Sequence, residues 1–224
     1  MINIAIDGPA GAGKSTISKR LAAQLGYIYV DTGALYRAVG LYMLRGGVDI
    51  DRAEDVSARL DGVDVKLQYI DGTQHVLLCG EDVSDDIRLP EVSMTASKVS
   101  AIPAVRAFLF DLQRSIAKDN NVVMDGRDIG TVVLPDAQIK IFLTASAEER
   151  ARRRCKELTE KGQNVSYDDV LRDIIDRDYA DSHREIAPLK QAADAELIDT
   201  SNLDLEQSVE CLLNFVSKRI GENE

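Results

Sequence analysis

The residues best suited to chemistry stand near the start of the chain, in a glycine-rich run from Gly8 to Thr16. The run fits the pattern G-x-x-x-x-G-K-[ST], in which glycines let successive backbone N–H groups converge on phosphate oxygens. In this pattern Lys14 reaches the β- and γ-phosphates, and the hydroxyl of Ser15 is a ligand for Mg²⁺. The predicted nucleoside triphosphate site consists of Gly8, Pro9, Ala10, Gly11, Ala12, Gly13, Lys14, Ser15 and Thr16.

The residues around this run distinguish a phosphate loop from a chance glycine turn. The apolar run Ile4–Ile6 predicts a strand before it. Ile17, Leu21 and Leu25 recur at helical spacing after it, and Gly26 ends the helical pattern. Strand, loop and helix therefore follow in the required order, and a bound anion would face the positive end of the helix.

A second polar segment follows the apolar run Tyr27–Val30 and leads into another helical pattern. Asp31 or Thr32 in this segment is by default a helix N-cap. Ligands of open α/β sheets bind at the carboxyl ends of strands, which is where the segment lies. We therefore expect Tyr36 and Arg37 to project from the first helical turn toward a ligand crevice.

A third charged segment, Asp125–Gly130, follows the apolar run Val122–Met124. A polar turn is the plain explanation for such a segment. An apolar strand that ends in Asp is also where P-loop proteins carry the carboxylate that steers Mg²⁺. Asp125 and Asp128 are both candidates for that role.

Arginine is concentrated in the last third of the chain. A run of arginines on a helix is often a solvated face, but focused positive charge in an acidic protein also suits small polyanions. Arg177, Asp181 and Arg184 fall at i, i+4 and i+7, which predicts one helix face. Such a face makes either a surface ion pair or a helix that reaches over a nucleotide. The concentrated residues are Arg150, Arg152, Arg153, Arg154, Arg172, Arg177 and Arg184.

Alternating strands and helices must position these residues. Further strands are predicted at Ile139–Leu143 and at 196–199, and a closing amphipathic helix begins near Leu205. Capping boxes at Ser146 and Ser166 start the two helices that carry the arginines, and the first of these helices stops at Gly162. The pattern predicts an α/β fold with a doubly wound parallel sheet.

The middle of the chain has a different pattern of apolar and polar residues. From about residue 62 to 88, apolar and polar residues alternate around an Asp71-Gly72 turn signal, which predicts a small β insert. Pro90 and Pro103 each open a helix. The second helix has an apolar stripe of Val105, Phe108, Leu109, Leu112 and Ile116, and Arg106 beside it either lines a pocket or flanks the core.

Composition excludes several classes of protein. The 224-residue chain has a net charge of −11, which argues against a broad nucleic-acid surface. Neither a bilayer-spanning run nor a leader is recognisable, so we expect a cytoplasmic protein. Cys79, Cys155 and Cys211 are interpreted as packed thiols, and His75 and His183 as surface or satisfied histidines rather than metal ligands. Nothing in the sequence requires more than one chain at the site, so we expect a monomer.

A triphosphate site beside a second cluster of arginines, hydroxyls and carboxylates implies phosphoryl transfer between two anions. In that reaction the protein contributes chiefly by positioning the reactants and stabilising charge. An arginine supplied at the transition state contributes about a thousandfold or more in rate. The helical pair from Arg150 to Arg184 would then close as a lid that keeps water from the γ-phosphoryl group.

The chain resembles the bacterial cytidylate kinases among the nucleoside monophosphate kinases. The resemblance rests on Ile6–Pro9, Asp31–Arg37, Gly80–Ser84 and, most specifically, Asp125–Val133. It implies that Mg-ATP gives its γ-phosphoryl group to CMP or dCMP in one kinase domain over residues 1–224. It further implies an acceptor-binding region over 31–120, which includes the insert, and a LID over 146–184.

The resemblance also implies roles for individual residues. It places the cytosine near Thr32, Arg106, Asp128 and Arg184, the pentose near Ser97, Arg177 and Asp181, and the acceptor phosphate near Tyr36, Arg37 and Arg127. The implied catalytic set is Lys14, Arg127, Arg154 and Arg177, with Ser15 on the metal.

Two other classes of protein stay open at this point. A small-metabolite P-loop kinase, such as a shikimate-like one, shares the loop, but the β insert and the paired arginines favour a nucleotide acceptor. A nucleotide-binding switch would also share the loop, although the sequence has no N-K-x-D guanine motif.

Overall fold

The computed structural model of the protein describes residues 1–70, 72–160 and 162–222, and it is built around a parallel sheet. Along the chain the strands are β1 Asn3–Asp7, β2 Ile28–Asp31, β3 Val65–Ile70, β4 Thr73–Leu78, β5 Glu81–Asp82, β6 Val122–Gly126, β7 Ile139–Thr144 and β8 Glu196–Asp199. The helices are α1 Lys14–Leu25, α2 Thr32–Arg45, α3 Ala53–Arg59, α4 Pro90–Val99, α5 Pro103–Asp119, α6 Ala147–Glu160, α7 Tyr167–His183 and α8 Leu205–Glu222.

The main sheet has five strands in the order β2-β6-β1-β7-β8, and all its pairings are parallel. Its strands are apolar on both faces, as expected of a sheet that helices cover on both sides. Ile4 and Ile6 of β1 pack in one cluster with Leu212 of α8, whereas Ala5 packs on the other face with Ala117 of α5. The doubly wound fold class is therefore confirmed.

The register of the sheet brings the polar segments together. Asp7 of β1 pairs with Gly126 of β6, and Asp31 of β2 pairs with Asp125. Because parallel strands end at the same edge of a sheet, the segments after β1, β2 and β6 all border one crevice.

Several helix boundaries lie where the sequence predicts them. α1 ends at Gly26, which has the left-handed conformation of a C-cap, and α4 and α5 begin at Pro90 and Pro103. The Ser146 hydroxyl accepts a hydrogen bond from the Glu149 N–H at the start of α6. At α7 the prediction is only half right, because Ser166 takes the N-cap position while its side chain makes no capping hydrogen bond.

The β insert forms a separate sheet in which β3 and β4 pair antiparallel, as the alternating pattern predicts. The short strand β5, which the pattern does not predict, adds a third antiparallel strand beside β4. Asp71 of the predicted turn lies outside the described residues. Helix α3, which precedes the insert, is not among the elements that the sequence predicts. The insert also contacts the main sheet: the Tyr69 hydroxyl donates to the Tyr29 carbonyl over 3.0 Å, and the Asp31 N–H donates to the Gln74 side chain over 2.9 Å.

The structure corrects one residue of the predicted apolar stripe of α5 and the predicted state of two cysteines. Phe108 is 37% exposed, and the buried face of α5 also includes Arg106 and Gln113. Val105 and Leu109 of the stripe are fully buried as predicted, so the periodicity of apolar residues places the face but misses the buried polar side chains beside it. Cys79 and Cys211 are exposed free thiols rather than packed ones.

None of the helices in the described part of the chain has an apolar stretch long enough to cross a bilayer.

Candidate active site

The glycine-rich loop curves between β1 and α1. Gly8 has φ +147°, and a Cβ there would lie 1.9 Å from the Leu143 carbonyl oxygen, so no other residue fits without movement of the backbone. Gly13 has φ +84° at the N-cap of α1 and places no side chain over the first turn. The first N–H groups of α1 therefore face the crevice without intrahelical partners, as an anion site requires.

The Lys14 side chain is buried inside the curve of this loop. Its ammonium donates to the carbonyls of Gly8 and Pro9, each over 2.7 Å. Burial lowers the pKa of Lys14 well below its usual value, and repulsion from Arg127 lowers it further, against the attraction of Asp125. The loop thus holds a positively charged donor next to the N-terminus of α1.

Ser15 and Asp125 meet at the base of the crevice. The Ser15 hydroxyl donates to the Asp125 carboxylate over 2.9 Å, and the Tyr29 hydroxyl donates to the other carboxylate oxygen over 3.1 Å. Burial raises the pKa of Asp125 to about 7, and the nearby charge of Asp31 adds to the rise, against the attraction of Lys14. A hydroxyl and a carboxylate are the hard oxygen donors that Mg²⁺ binds.

Asp31 organises the start of α2. Its carboxylate accepts from the Ala34 N–H over 2.9 Å, which makes Asp31 the N-cap, and it pairs with Arg37 over 2.8 Å. The Thr32 hydroxyl donates to the Asp125 carbonyl over 2.7 Å. Arg37 is thereby held over the mouth of the crevice, and the Thr32 hydroxyl is tied to the end of β6.

Asp128 lies between two arginines from different parts of the chain. One carboxylate oxygen pairs with Arg106, and the other accepts from Arg184 over 3.3 Å. Both arginines also donate to Ser100, Arg106 to its carbonyl and Arg184 to its hydroxyl. Burial raises the pKa of Asp128, whereas Arg106 and Arg184 oppose the rise. The side chains of this cluster are at most 10% exposed.

Arg184 reaches this cluster from a position that the sequence pattern does not predict. The pattern places it on the same helix face as Arg177 and Asp181, but α7 ends at His183 and Arg184 has extended backbone angles. Its Nε donates to the Ala187 carbonyl over 2.6 Å, which fixes the turned-back segment.

Arg127 and Asp181 form a second ion pair, which is partly buried, with Nε to carboxylate at 2.9 Å. Burial alone would raise the pKa of Asp181, but Arg127 and Arg177 outweigh it and hold the pKa below its usual value. Burial lowers the pKa of Arg177 to about 10, and repulsion from Arg127 adds to the effect. Among the described residues, Nε of Arg37 and of Arg177 are buried donors without a hydrogen-bond partner.

A single cleft of about 930 Å³ joins these groups. Arg154 lies at its rim and pairs with Glu157 over 2.7 Å. All the sequence-predicted site residues line the cleft except Gly8, Pro9 and Ala12, which shape the loop from behind. The predicted residues that line it are Ala10, Gly11, Gly13, Lys14, Ser15, Thr16, Thr32, Tyr36, Arg37, Ser97, Arg106, Arg127, Asp128, Arg154, Arg177, Asp181 and Arg184.

Sequence reasoning gave Arg150 no role of its own, yet it is among the most connected side chains at the site. It donates to the Ala10 carbonyl of the loop over 3.0 Å, to the Ala145 carbonyl over 2.9 Å and to the Asp178 carboxylate over 2.6 Å. Arg150 is 4% exposed, whereas the Arg152 side chain is 65% exposed, and nothing in the run of arginines distinguishes the two positions in the sequence.

Comparison with known proteins decides which family carries this arrangement. The family model for cytidylate kinase matches residues 4–218. The protein belongs to the cytidylate kinase family. It is therefore a nucleoside monophosphate kinase, which uses ATP to phosphorylate CMP or dCMP and gives CDP or dCDP.

Two relatives show how far the cytidylate kinase likeness extends. The chain is 54% identical over 220 residues to a cytidylate kinase of Caldicellulosiruptor saccharolyticus, with 98% of this chain and 97% of the relative covered. It is 50% identical over 218 residues to a cytidylate kinase of Carboxydothermus hydrogenoformans, with 97% and 98% covered.

A solved structure from Eubacterium ventriosum, of an uncharacterized protein, has a TM-score of 0.54 and 13% identity, and covers 97% of this chain and 99% of its own. At that identity the likeness shows the fold alone.

Proposed function

We propose that the cytidylate kinase reaction runs in the cleft with ATP phosphates on the Gly8–Thr16 loop and CMP on the opposite wall. The observation that carries this division is the buried Asp128 between Arg106 and Arg184, in the same cleft as Lys14. A loop with N–H donors suits a polyphosphate. A carboxylate flanked by guanidinium groups suits a flat base that offers both donors and acceptors.

The chemistry of cytosine matches the Asp128 cluster. Its amino group donates a hydrogen bond to the Asp128 carboxylate, and its O2 and N3 accept from Arg106 and Arg184, with Thr32 nearby. Uracil would present an oxygen where cytosine has the amino group, and two acceptors would then face each other. A buried site that hydrogen-bonds its substrate rejects a mismatched analogue strongly.

The remaining polar groups serve the pentose and the acceptor phosphate. We assign the pentose to Ser97, Arg177 and Asp181, and the phosphate to Tyr36, Arg37 and Arg127. A buried N–H donor without an acceptor is costly, so the unpartnered Nε atoms of Arg37 and Arg177 suit oxygen acceptors of an incoming nucleotide.

Transfer requires charge to be shared over the moving phosphoryl group. Lys14 contacts the β- and γ-phosphates. Arg127, Arg154 and Arg177 contact the moving phosphoryl group from the side opposite Lys14. We place residues 146–184 as a LID that brings Arg154 and Arg177 inward and excludes water, and residues 31–120 as the acceptor-binding region within one kinase domain.

Mg²⁺ would be held by the Ser15 hydroxyl, with Asp125 next to it. In the described part of the chain no group of three or more carboxylate, histidine or cysteine side chains is suited to a metal. This fits an ion that takes most of its ligands from phosphate and water. When bound, the ion would neutralise charge on the β- and γ-phosphate oxygens. A monomeric state, a cytoplasmic location and the absence of a nucleic-acid partner stay predictions.

A monophosphate panel tests the proposal. Wild type, Asp128→Asn and Asp136→Asn are compared for ADP release with CMP, dCMP, UMP and AMP. Asp136 is exposed on the same segment and is the matched control. We expect Asp128→Asn to lower kcat/KM for CMP about a hundredfold, with the KM for ATP within about twofold. Equal losses for both nucleotides would place the base elsewhere, and preferred use of AMP would contradict the acceptor assignment.

A further inference from the structure

Asp7 is a buried carboxylate that none of the assigned roles uses. It is the last residue of β1, it is 4% exposed, and Gly8 of the phosphate loop follows it directly. Its two carboxylate oxygens accept from consecutive backbone groups on a different segment: the Ile129 N–H at 2.7 Å and the Gly130 N–H at 2.7 Å.

These two N–H groups begin a wide turn that follows Asp128. Within Ile129–Val133 the chain is π-helical, and the Val133 N–H donates back to the Asp128 carbonyl over 3.2 Å. The first N–H groups of any such turn have no partner inside it. Asp7 therefore caps this segment from another strand, much as an N-cap side chain serves an α-helix.

The cap that Asp7 provides constrains the backbone of Asp128, the residue just before the turn. Asp128 has φ −146° and ψ 28°, an angle pair outside the common regions, and its own side chain does not cap the turn. A Cβ on Gly130 would lie 3.4 Å from the Asp7 carboxylate and 3.2 Å from the Lys140 side chain, so the segment sits closely on both. The direction of the Asp128 carboxylate thus depends on how Asp7 holds the next two peptides.

We propose that Asp7 is a positioning residue for recognition of the acceptor base, which acts through the backbone of Ile129 and Gly130 on Asp128. The inference rests on the proposed role of Asp128. It differs from a role in ATP binding, which the sequence neighbourhood of Asp7 alone would suggest. Loss of one N–H acceptor lets the turn move, and a displacement of about 1 Å at a binding group is costly.

Asp7→Asn is the first test, because it keeps the shape but turns one acceptor oxygen into an amide that faces an N–H. We expect the ratio of kcat/KM for CMP to kcat/KM for UMP to fall about tenfold or more, with the KM for ATP within about twofold. Asp136→Asn makes the same chemical change at an exposed site near the end of the turn and should leave both values unchanged. Far-UV circular dichroism and melting temperature report whether Asp7→Asn folds.

The double variant Asp7→Asn/Asp128→Asn separates this inference from the proposed function. If Asp7 acts through Asp128, the double variant discriminates CMP from UMP no worse than Asp128→Asn alone. If Asp128→Asn itself leaves the discrimination intact, the proposed base site is wrong. If Asp128→Asn lowers the discrimination and a folded Asp7→Asn does not, only the role of Asp7 is wrong. A raised KM for ATP with unchanged discrimination would assign Asp7 to the phosphate loop instead.

Should Asp7→Asn not fold, Asp7→Ser is the second variant, since it is small enough for the site and its shorter side chain cannot serve both N–H groups. It is expected to lose the same discrimination, and titration of CMP into the enzyme without ATP then measures the loss as a weaker Kd. A CMP affinity equal to wild type in a folded Asp7→Ser protein would overturn the inference.

Discussion

The hydroxyl of Ser15 donates to the carboxylate of Asp125 over 2.9 Å and joins the first turn of α1 to the end of β6. The two side chains come from residues 110 positions apart. Their contact places two oxygen donors from different elements side by side at the edge of the sheet.

Loss of this hydroxyl should change the metal requirement. For Ser15→Ala we expect the Mg²⁺ concentration at half-maximal rate to rise about tenfold, because one oxygen ligand is removed while phosphate ligands remain. Magnesium titrations of the rate at saturating ATP and CMP measure it. Ser115→Ala removes an exposed hydroxyl from α5 and is the control. An unchanged magnesium curve for Ser15→Ala would contradict the assignment.

Lys14→Met should abolish turnover and spare the fold. Removal of the ammonium leaves the Gly8 and Pro9 carbonyls without their donor but also removes the cost of desolvating a charge, so we expect a small net effect on stability, while the phosphates lose their positive partner. We expect kcat to fall about a hundredfold or more with the melting temperature within a few degrees. Lys19→Met on the exposed face of α1 is the matched variant and should be active. Near-normal turnover by folded Lys14→Met would remove Lys14 from catalysis.

Arg150→Met should destabilise the protein far more than Arg152→Met, although the two positions lie two residues apart. Without Arg150 the partly buried carboxylate of Asp178 and two carbonyls lose their donor, and the loss of three hydrogen bonds is expected to cost about 3 kcal/mol of unfolding free energy. The Arg152 side chain is 65% exposed, and its pair with Glu149 contributes less than about 1 kcal/mol. Urea denaturation compares the two. Equal effects would show that Arg150 is not a structural link.

Asp7 should give the stability a pH dependence that Asp7→Asn lacks. Burial raises the pKa of Asp7 to about 6 from 3.8, against the hydrogen bonds from Gly130 and Ile129. The unfolded chain thus releases this proton at lower pH than the folded protein, and the contribution of Asp7 to stability falls as pH rises toward and through 6. Between pH 5 and pH 7 the loss is about 1 kcal/mol.

Urea denaturation of wild type and Asp7→Asn at pH 5, 6 and 7 measures this dependence. The difference in unfolding free energy should shift against wild type by that amount, while the other buried carboxylates are common to both proteins and largely cancel. A difference that stays constant with pH, or shifts toward wild type, would contradict the raised pKa.

The sequence predicts much of the fold because its signals are local. Pro90, Pro103 and Gly26 act on their own backbone, and Ile4 and Ile6 belong to one continuous apolar run, so these elements lie where expected. The grouping of Asp125 with Ser15 also follows from strand order, since both lie at the carboxyl edge of the sheet.

What the sequence does not predict depends on distant contacts. Arg106 is buried on α5 because Asp128 and the Ser100 carbonyl receive its guanidinium, and neither partner is visible in the spacing of the helix. Arg184 leaves the helix face because the Ala187 carbonyl holds it in a turned-back segment. In both cases a tertiary partner overrides the local pattern.

The contact between Gln74 of the insert and the Asp31 N–H ties two parts of the molecule to one residue. Asp31 also begins α2 and holds Arg37. A swing of the insert as a rigid body would therefore pull on the cap of α2 and on the Arg37 guanidinium at once. Any displacement of the insert would thus be transmitted through Asp31 to the groups that border the crevice.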